Sequence, residues 1–579
     1  MKMKLKSINI KMIGLLALII IGSITSCKQE DELLFNENGV KPNVAFVGLT
    51  NFNTISTAGQ LIRYNASNIN QIVGAAVAIN PTNLQPGESI VAIDYRPATG
   101  ILYGVSNQSR LYILNPLNGA ARAVSATPFT PAIVGGIAGF DFNPTVDRIR
   151  LVTKSGQNLR LNPNDGSVVA TDANINGGTN VVLSEVAYTN NISGSTTTEL
   201  FDADFNAGIL YKQDANAGTL SQIGSFGVPS IGRVVTSTFS AAYNTNITNA
   251  RPGGFDIAPT GEALVVFNNG SIPAIPVGGI SAGPPANPAN AAAATVGIPT
   301  LFQIDLATGK ATDLGLIPFP APNNGIAATA LIGIAIAPAP VAYAINEANG
   351  LMIFNLTKPE PIIKVITGLQ TGENIIGLDI RPLTGQLYAL GSTSRIYTIN
   401  PASGAAIQVG LLPLVPTLSG TNFGFDFEPT TDLIRITSNL RQNLIVNATT
   451  GLATPNPALT PGGNSGQITA IAYNNNLVIP TSPTTTTLFG INVATDSLYR
   501  ISTTPLNTSG AITRIGKLRV QGAEGVNGFD IGAVSGIGYA ILSAGTETKI
   551  YSINLTLGSA TQVGTFPSKV RAFTVGLGF

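Results

Sequence analysis

Histidine and tryptophan are missing from this sequence, and cysteine occurs once. Without imidazole there is no Ser-His-Asp or Cys-His catalysis and no His-ligated zinc or iron site. Without indole there is no Trp-lined sugar platform, although Tyr can take that role. A single cysteine allows no intramolecular disulfide. Charge is also sparse: Asp, Glu, Lys and Arg make up 11% of the chain and the formal net charge is +1, so nothing suggests the basic stripe of a nucleic-acid binder. What the 579 residues do hold is 44% hydrophobic residues, 63 Gly and 37 Pro. That is the balance of a folded core cut by many tight turns, and it suits short strands.

The N-terminus reads as an address. Lys2, Lys4, Lys6 and Lys11 precede an apolar run over residues 12–24 that is too short to span a bilayer comfortably, and the run ends in Ile24-Thr25-Ser26-Cys27. Together these form a secretory signal over residues 1–26. Its close resembles the lipobox of bacterial lipoproteins, in which the cysteine becomes lipidated. Cys27 is the candidate lipidation site, because the chain's one cysteine stands where a lipobox requires it. Three acyl chains at ~0.8 kcal/mol per buried CH₂ make such an anchor effectively permanent. Residues 27–42 form a tether. Lys28-Gln29-Glu30-Asp31-Glu32 resembles the acidic export tag of some Gram-negative surface lipoproteins, and a plain solvated tether is the alternative. The expected location is the outer membrane, exposed at the surface, with the lipid anchor as the membrane contact.

The mature chain repeats itself. The stretch at Asp94, Gly139-Phe140-Asp141-Phe142 and Val186-Ala187-Tyr188 returns at Asp379, Gly424-Phe425-Asp426-Phe427 and Ile471-Ala472-Tyr473, each time 285 residues later. A constant offset means duplication, which divides the chain into copies 43–338 and 339–579. Within a copy a shorter period appears. Strands are predicted at 90–94, 101–106, 110–114 and 121–125, joined by Thr99-Gly100 and Asn118-Gly119 turns, which makes one antiparallel meander. Comparable units start near Gly139, Ser184 and Gly254, and near Gly377, Gly424, Thr469 and Gly528. The predicted fold is all-β, a β-propeller of four-stranded blades arranged as two five-bladed units in tandem. The alternative is one ring of about ten blades. Which strand completes the unit at 344–365 separates the two: 331–337 or 572–579. The short linker Pro338-Ala339-Pro340 favours the single ring; a copy of five units that folds alone favours the tandem.

These phrases resemble a bacterial secreted family known as domain of unknown function 4394. The matching text is Gly377-Leu378-Asp379-Ile380-Arg381-Pro382, Gly385-Gln386-Leu387-Tyr388-Ala389-Leu390, Arg395-Ile396-Tyr397-Thr398-Ile399-Asn400, Gly424-Phe425-Asp426-Phe427, Arg441-Gln442-Asn443-Leu444 and Thr484-Thr485-Thr486-Thr487-Leu488-Phe489, most of it also present in the first copy. The resemblance implies an extracellular setting and a propeller-like fold. It implies no activity.

The repeated positions are Asp94, Asp141 and Asp256 in one copy and Asp379, Asp426 and Asp530 in the other, with Arg96 and Arg381 two residues after their Asp. Three carboxylates per copy could hold calcium, whose hard oxygen preference suits them. Repetition favours a structural role instead, with each carboxylate accepting backbone N–H bonds and locking blade to blade. Arg96 and Arg381 share a strand face with their Asp, so a local Asp–Arg pair is expected. Arg150, Arg435, Gln157-Asn158 and Gln442-Asn443 are repeated polar positions that could satisfy buried backbone groups. Glycoside hydrolysis would need two acids at one centre; Glu185, Glu199 and Glu524 are isolated acids, and no catalytic residue or metal ligand is assigned. The Thr-rich loops 191–198 and 481–487 could meet sugar hydroxyls. The leading expectation is a non-catalytic cell-surface binding or scaffold module without cofactor, its ligand a glycan or a protein and not nucleic acid. The alternatives are an extracellular glycan hydrolase using paired Asp or Glu, and a purely structural envelope protein.

Replacement Cys27→Ala is expected to release the protein from the membrane. Metabolic labelling with a palmitate analogue checks this: equal labelling of variant and wild type would exclude the lipobox.

Overall fold

A computed structural model of the chain describes residues 41–51, 59–178, 181–227, 253–268, 299–319, 330–477, 482–503, 510–525 and 527–579. The signal segment, Cys27, the acidic tag and most of the Pro-, Ala- and Gly-rich stretch 271–300 lie outside the described residues. Asn43–Phe579 forms one compact unit. Among the described residues, forty strands make ten four-stranded antiparallel sheets. Helix there is limited to short 3-10 turns such as Ala66–Asn68 and Pro81–Asn83.

One blade shows how the sequence builds the rest. Ile90–Arg96, Ile101–Ser106, Leu111–Leu114 and Ala121–Ala123 pair in order, with Ile93 opposite Gly104 and Gly104 opposite Tyr112. Their apolar residues are buried on both faces, because each blade packs between two neighbours. The turn after the third strand is an Asx turn: Asn115 accepts from the Leu117 N–H at 2.8 Å, and the Gly119 N–H closes onto the Asn115 carbonyl at 2.9 Å. Gly119 has φ of 73°, and a Cβ there would lie 1.9 Å from the Ala78 carbonyl oxygen of the adjacent blade, so only glycine fits. The same Asx-to-Gly closure recurs at Asn162–Gly166, Asp214–Gly218, Asp305–Gly309, Asn400–Gly404, Asn447–Gly451 and Asn554–Gly558. This turn chemistry is the signature that marks most blades in the sequence.

Ring closure decides the architecture. Ala330–Ile336 pairs with Ala45–Asn51, with Phe46 opposite Ile336 and Gly48 opposite Ile334. Val570–Val575 pairs with Ala342–Asn346, with Tyr343 opposite Thr574. In each copy the last strand therefore becomes the innermost strand of the first blade, and two five-bladed rings close separately. The single large ring is excluded. The short linker is no obstacle, because the rings pack directly on each other and share a core. Tyr103, Ile113 and Phe142 of the first ring lie in one cluster with Tyr343, Ile353 and Leu387 of the second. The Tyr343 hydroxyl is 2.7 Å from the Ser193 hydroxyl and donates to the Ala98 carbonyl at 2.7 Å, and the Gly578 N–H bonds the Thr99 carbonyl at 2.9 Å.

Because Val570–Val575 closes the second ring internally, a fragment of residues 340–579 is expected to fold alone with no raw sheet edge. A near-UV circular dichroism signal and a sharp, cooperative melt check this. A molten state lacking near-UV signal would mean that the second ring depends on the first for its closure.

Candidate functional site at the propeller axes

Five inner strands surround each axis, and each turns one backbone N–H inward at the same level. In the first ring these belong to Tyr95, Phe142, Tyr188, Ile257 and Ile336; in the second, to Ile380, Phe427, Tyr473, Ile531 and Val575. All ten donate to the repeated aspartates. Asp94 accepts from Tyr95 at 2.7 Å and Phe142 at 2.7 Å, Asp141 from Tyr188 at 3.2 Å, and Asp256 from Ile257 at 2.6 Å and Ile336 at 2.5 Å. Asp379 accepts from Ile380 at 2.7 Å and Phe427 at 2.8 Å, Asp426 from Tyr473 at 3.0 Å, and Asp530 from Ile531 at 2.6 Å and Val575 at 2.8 Å. Each carboxylate thus reaches across to the inner strand of the next blade, and two per ring also hold the N–H of their own neighbour. The two remaining positions of each ring carry Ala187 and Ala335, or Ala472 and Thr574.

Carboxylate oxygens of each triad lie within 4.8 Å of one another, and all six residues are buried. Burial pushes every one upward: Asp94, Asp141, Asp379 and Asp426 well above the usual carboxylate range, Asp256 to about 7 and Asp530 to about 6. The neighbouring carboxylates add to the rise at Asp94, Asp141, Asp379 and Asp426, and the N–H bonds work against it. Three such groups cannot all ionise together, so each triad shares protons. Thr574 fits this picture. Its Oγ is 2.7 Å from Asp530 and 3.0 Å from Asp379, so a proton on one carboxyl would let the hydroxyl donate to one aspartate and accept from the other. The triads are the groups that could hold a divalent cation. Calcium takes 6–8 oxygen ligands; here three carboxylates supply six oxygens per ring, and five N–H groups take up part of their roughly twelve lone-pair sites.

The expected local Asp–Arg pairs do not form. Arg96 bonds Asp147 at 2.8 and 2.5 Å, and Arg381 bonds Asp432 at 2.8 Å through Nε, each partner lying 51 residues away in the next blade's hairpin. The oxygens of Asp94 and Asp379 are filled by backbone N–H groups in mid-strand. The arginines stand at the strand end and reach across to a turn where Asp147 and Asp432 have φ of 52° and 58°. Arg150 bonds Asn158 at 2.7 Å and Asp172 at 2.6 Å, and Arg435 bonds Asn443 at 3.1 Å. Asn158 and Asn443 in turn hold the carbonyls of Ala173 and Pro457, each at 3.0 Å, while Gln157 and Gln442 hold those of Ala132 and Thr417. Glu199 pairs with Lys212 on the surface and Glu524 with Lys569. Glu185 differs from both. It lies on an inner strand two residues before Ala187, one level along the axis, where the second copy has Ala470. Burial pushes its carboxyl well above the usual range, with Lys154 opposing and Asp256 adding to the shift.

Residues 60–327 and 350–575 match the family described as a domain of unknown function, DUF4394. The chain belongs to the DUF4394 family. No curated protein matches it. Among solved structures, two of the extracellular domain of a B. thetaiotaomicron protein, described as a one-component and as a hybrid two-component system, share 12% identity and a TM-score of 0.24. They cover 91% and 90% of this chain, and in each case 73% of the other. The Dos1 propeller shares 10% identity and a TM-score of 0.22 over 65% of this chain and 83% of its own. Scores this low bear on neither site nor function. Sequence reasoning found the six aspartates of the two DUF4394 copies through their repeated phrases. It missed Asp147, Asp432, Thr574 and Lys154. The first two were legible as repeated acids 285 residues apart; the other two occur in one copy only.

The raised carboxyls fix a sign for pH dependence. Unfolded Asp titrates near about 3.9, so the stability these groups contribute is complete below that pH and is lost as pH rises through about 6 to 7. Melting temperature is therefore expected to fall between roughly pH 4 and pH 7. Asp256→Asn should flatten part of that slope, and it should lower stability by about 1–3 kcal/mol because one N–H loses its acceptor. A calcium centre would reverse the sign, since the ion needs ionised ligands. Melts that rise with pH and collapse in EDTA would establish the metal.

Proposed function

We propose that this chain is a non-catalytic binding or scaffold lipoprotein of the cell surface, anchored through Cys27 in the outer membrane and without a required cofactor. The observation that carries this reading is the mouth of the second ring's axis. A cavity of about 140 Å³ opens there, lined by Thr421, Asn422, Thr469, Asn527 and Arg571 among others. These side chains offer hydrogen-bond donors and acceptors but no carboxylate, thiol or imidazole. Asn527 donates to Thr469 at 3.1 Å, while its buried Oδ1 has no partner among the described residues. An unfilled buried acceptor in a polar cavity is a recognition feature, since leaving it unpaired costs free energy. Its chemistry suits the hydroxyls of a glycan or the backbone of a peptide. Sparse charge supports a partner other than nucleic acid. Among the described residues no helix is long and apolar enough to cross a membrane, and in this reading the lipid supplies the attachment.

One observation favours hydrolysis as a second reading. Glu185 is an unrepeated acid with a raised pKa beside the first axial triad. Lys154 acts on it electrostatically, and at its level the neighbouring inner strands carry Ala92, Gly139, Gly254 and Gly333. At Gly139 a side chain is excluded, since a Cβ there would lie 2.6 Å from the Val186 nitrogen.

A glycan and peptide array probed with Asn43–Phe579 tests the binding reading. Asn527→Ala and Arg571→Ala are expected to weaken the best ligand by about tenfold. Binding that neither variant changes would move the site elsewhere. Turnover of an arrayed glycan that Glu185→Gln abolishes would replace this reading with the hydrolase.

A further inference from the structure

A second cavity, of about 410 Å³ and open to solvent along one side, lies where the linker passes between the rings. Leu102 and Leu114 of the first ring, Pro338 and Pro340 of the linker, and Leu577 and Phe579 of the second ring form much of its wall. Among its lining residues Arg63 alone is charged. Arg63 lies on the strand Gln60–Asn65, opposite Val47. Among the described residues the side chain of this half-buried arginine makes no hydrogen bond or ion pair, and its Nε is buried without a partner. The other arginines on buried strands behave differently: Arg96 and Arg150 each hold an aspartate. Gly74 leaves the guanidinium its room, since a Cβ there would collide with Nη2. Tyr95 also lines the cavity, close enough to feel the Arg63 charge, and its hydroxyl makes no hydrogen bond among the described residues.

These two residues break the duplication. Val47 faces Ala335 and Arg63, and in the second ring Tyr343 faces Thr574 and Ile353. Ala335 and Thr574 hold the same ring position, so Ile353 is the counterpart of Arg63. The counterpart of Tyr95, 285 residues on, is Ile380. Both isoleucines are buried core residues. One copy thus keeps two aliphatic side chains where the other places a cation and a phenol against an apolar hollow. A guanidinium with an unpaired buried nitrogen is unfavourable for folding alone. A carboxylate would complete it, accepting the fork of N–H groups together with the Tyr95 hydroxyl. The hollow would bury an aliphatic body, and its volume falls in the range of small-molecule sites.

From this we infer that the junction between the rings is a binding site for a small amphiphilic monocarboxylate, its carboxylate on Arg63 and Tyr95 and its hydrocarbon against Leu102, Leu114, Leu577 and Phe579. This deepens the binding-module reading by naming a ligand class at a site separate from the second ring's mouth. Failure here leaves the array result standing, and failure of the array leaves this site standing.

Isothermal titration of Asn43–Phe579, which contains both closed rings, tests the site with decanoate and with decanol, which has the same body without the charge. Decanoate is expected to bind saturably and about tenfold more tightly than decanol. Arg63→Met should remove that preference while leaving the melt cooperative, because Arg63 supports no hydrogen bond in the fold. If that variant fails to fold, Leu117→Glu, on a half-exposed part of the wall, should weaken decanoate more than decanol by charge repulsion. No saturable decanoate binding up to about 1 mM, equal affinity for decanoate and decanol, or decanoate affinity unchanged in the variant that folds would each overturn the inference.

Discussion

Five inner strands meeting at an axis leave five N–H groups facing a space too narrow for bulk water. Every buried N–H of that kind needs an acceptor, and three aspartates per ring supply them. The rest of the ring follows from this requirement. The carboxylates must sit in mid-strand, they must be buried, and each must reach the next blade. Two residues earlier along the inner strands, Gly377, Gly424 and Gly528 leave no room for a side chain; a Cβ on Gly528 would lie 2.3 Å from the Cβ of Phe573. Burial raises the carboxyl pKa values, and shared protons relieve the repulsion within each triad. The acidic cluster therefore has a structural explanation before any ligand is invoked.

That explanation also separates what is repeated from what is not. Functions tied to the ring itself appear twice: the triads, the Arg96–Asp147 and Arg381–Asp432 ties between blades, and the Asn158 and Asn443 bonds to strand-end carbonyls. Departures from the repeat that bear on a candidate site fall in three places. Glu185 replaces a small residue on the first axis. Asn527 and Arg571 line the mouth of the second. Arg63 and Tyr95 replace isoleucines at the junction. A duplicated scaffold with unequal sites suits a module in which one copy has been altered while the fold's own requirements were kept in both.

The contact between rings constrains both copies. Tyr343 is buried because its hydroxyl meets Ser193 and the Ala98 carbonyl, and Ile353 is buried against the first ring near Gly194. These contacts turn the faces of two propellers into one continuous core, which is why a linker of a few residues suffices. The hollow at the junction lies beside that shared core, where two curved surfaces cannot match everywhere.

The sequence by itself determined the blades. Short β-rich runs, Gly-containing turns, the offset of 285 residues that pairs Asp94 with Asp379 and Asp141 with Asp426, and the repeated Gly-Phe-Asp phrase that pairs Asp256 with Asp530 at 274 are local or periodic signals, and they located the inner strands to within a few residues and picked out all six axial aspartates. Tertiary structure alone decided how the rings close, because Ala330–Ile336 and Val570–Val575 look alike as strands and differ only in which distant strand each one meets. It also decided the partners of Arg96 and Arg381. Strand alternation placed them beside Asp94 and Asp379, but those carboxylates were already held by backbone N–H groups of the next blade. The importance of Arg63 was likewise invisible, since one arginine on the third strand of a blade carries no pattern. Its meaning comes from the apolar wall that the second ring and the linker bring up to it, and pairing across so long a separation is set by packing rather than by any local preference of the chain.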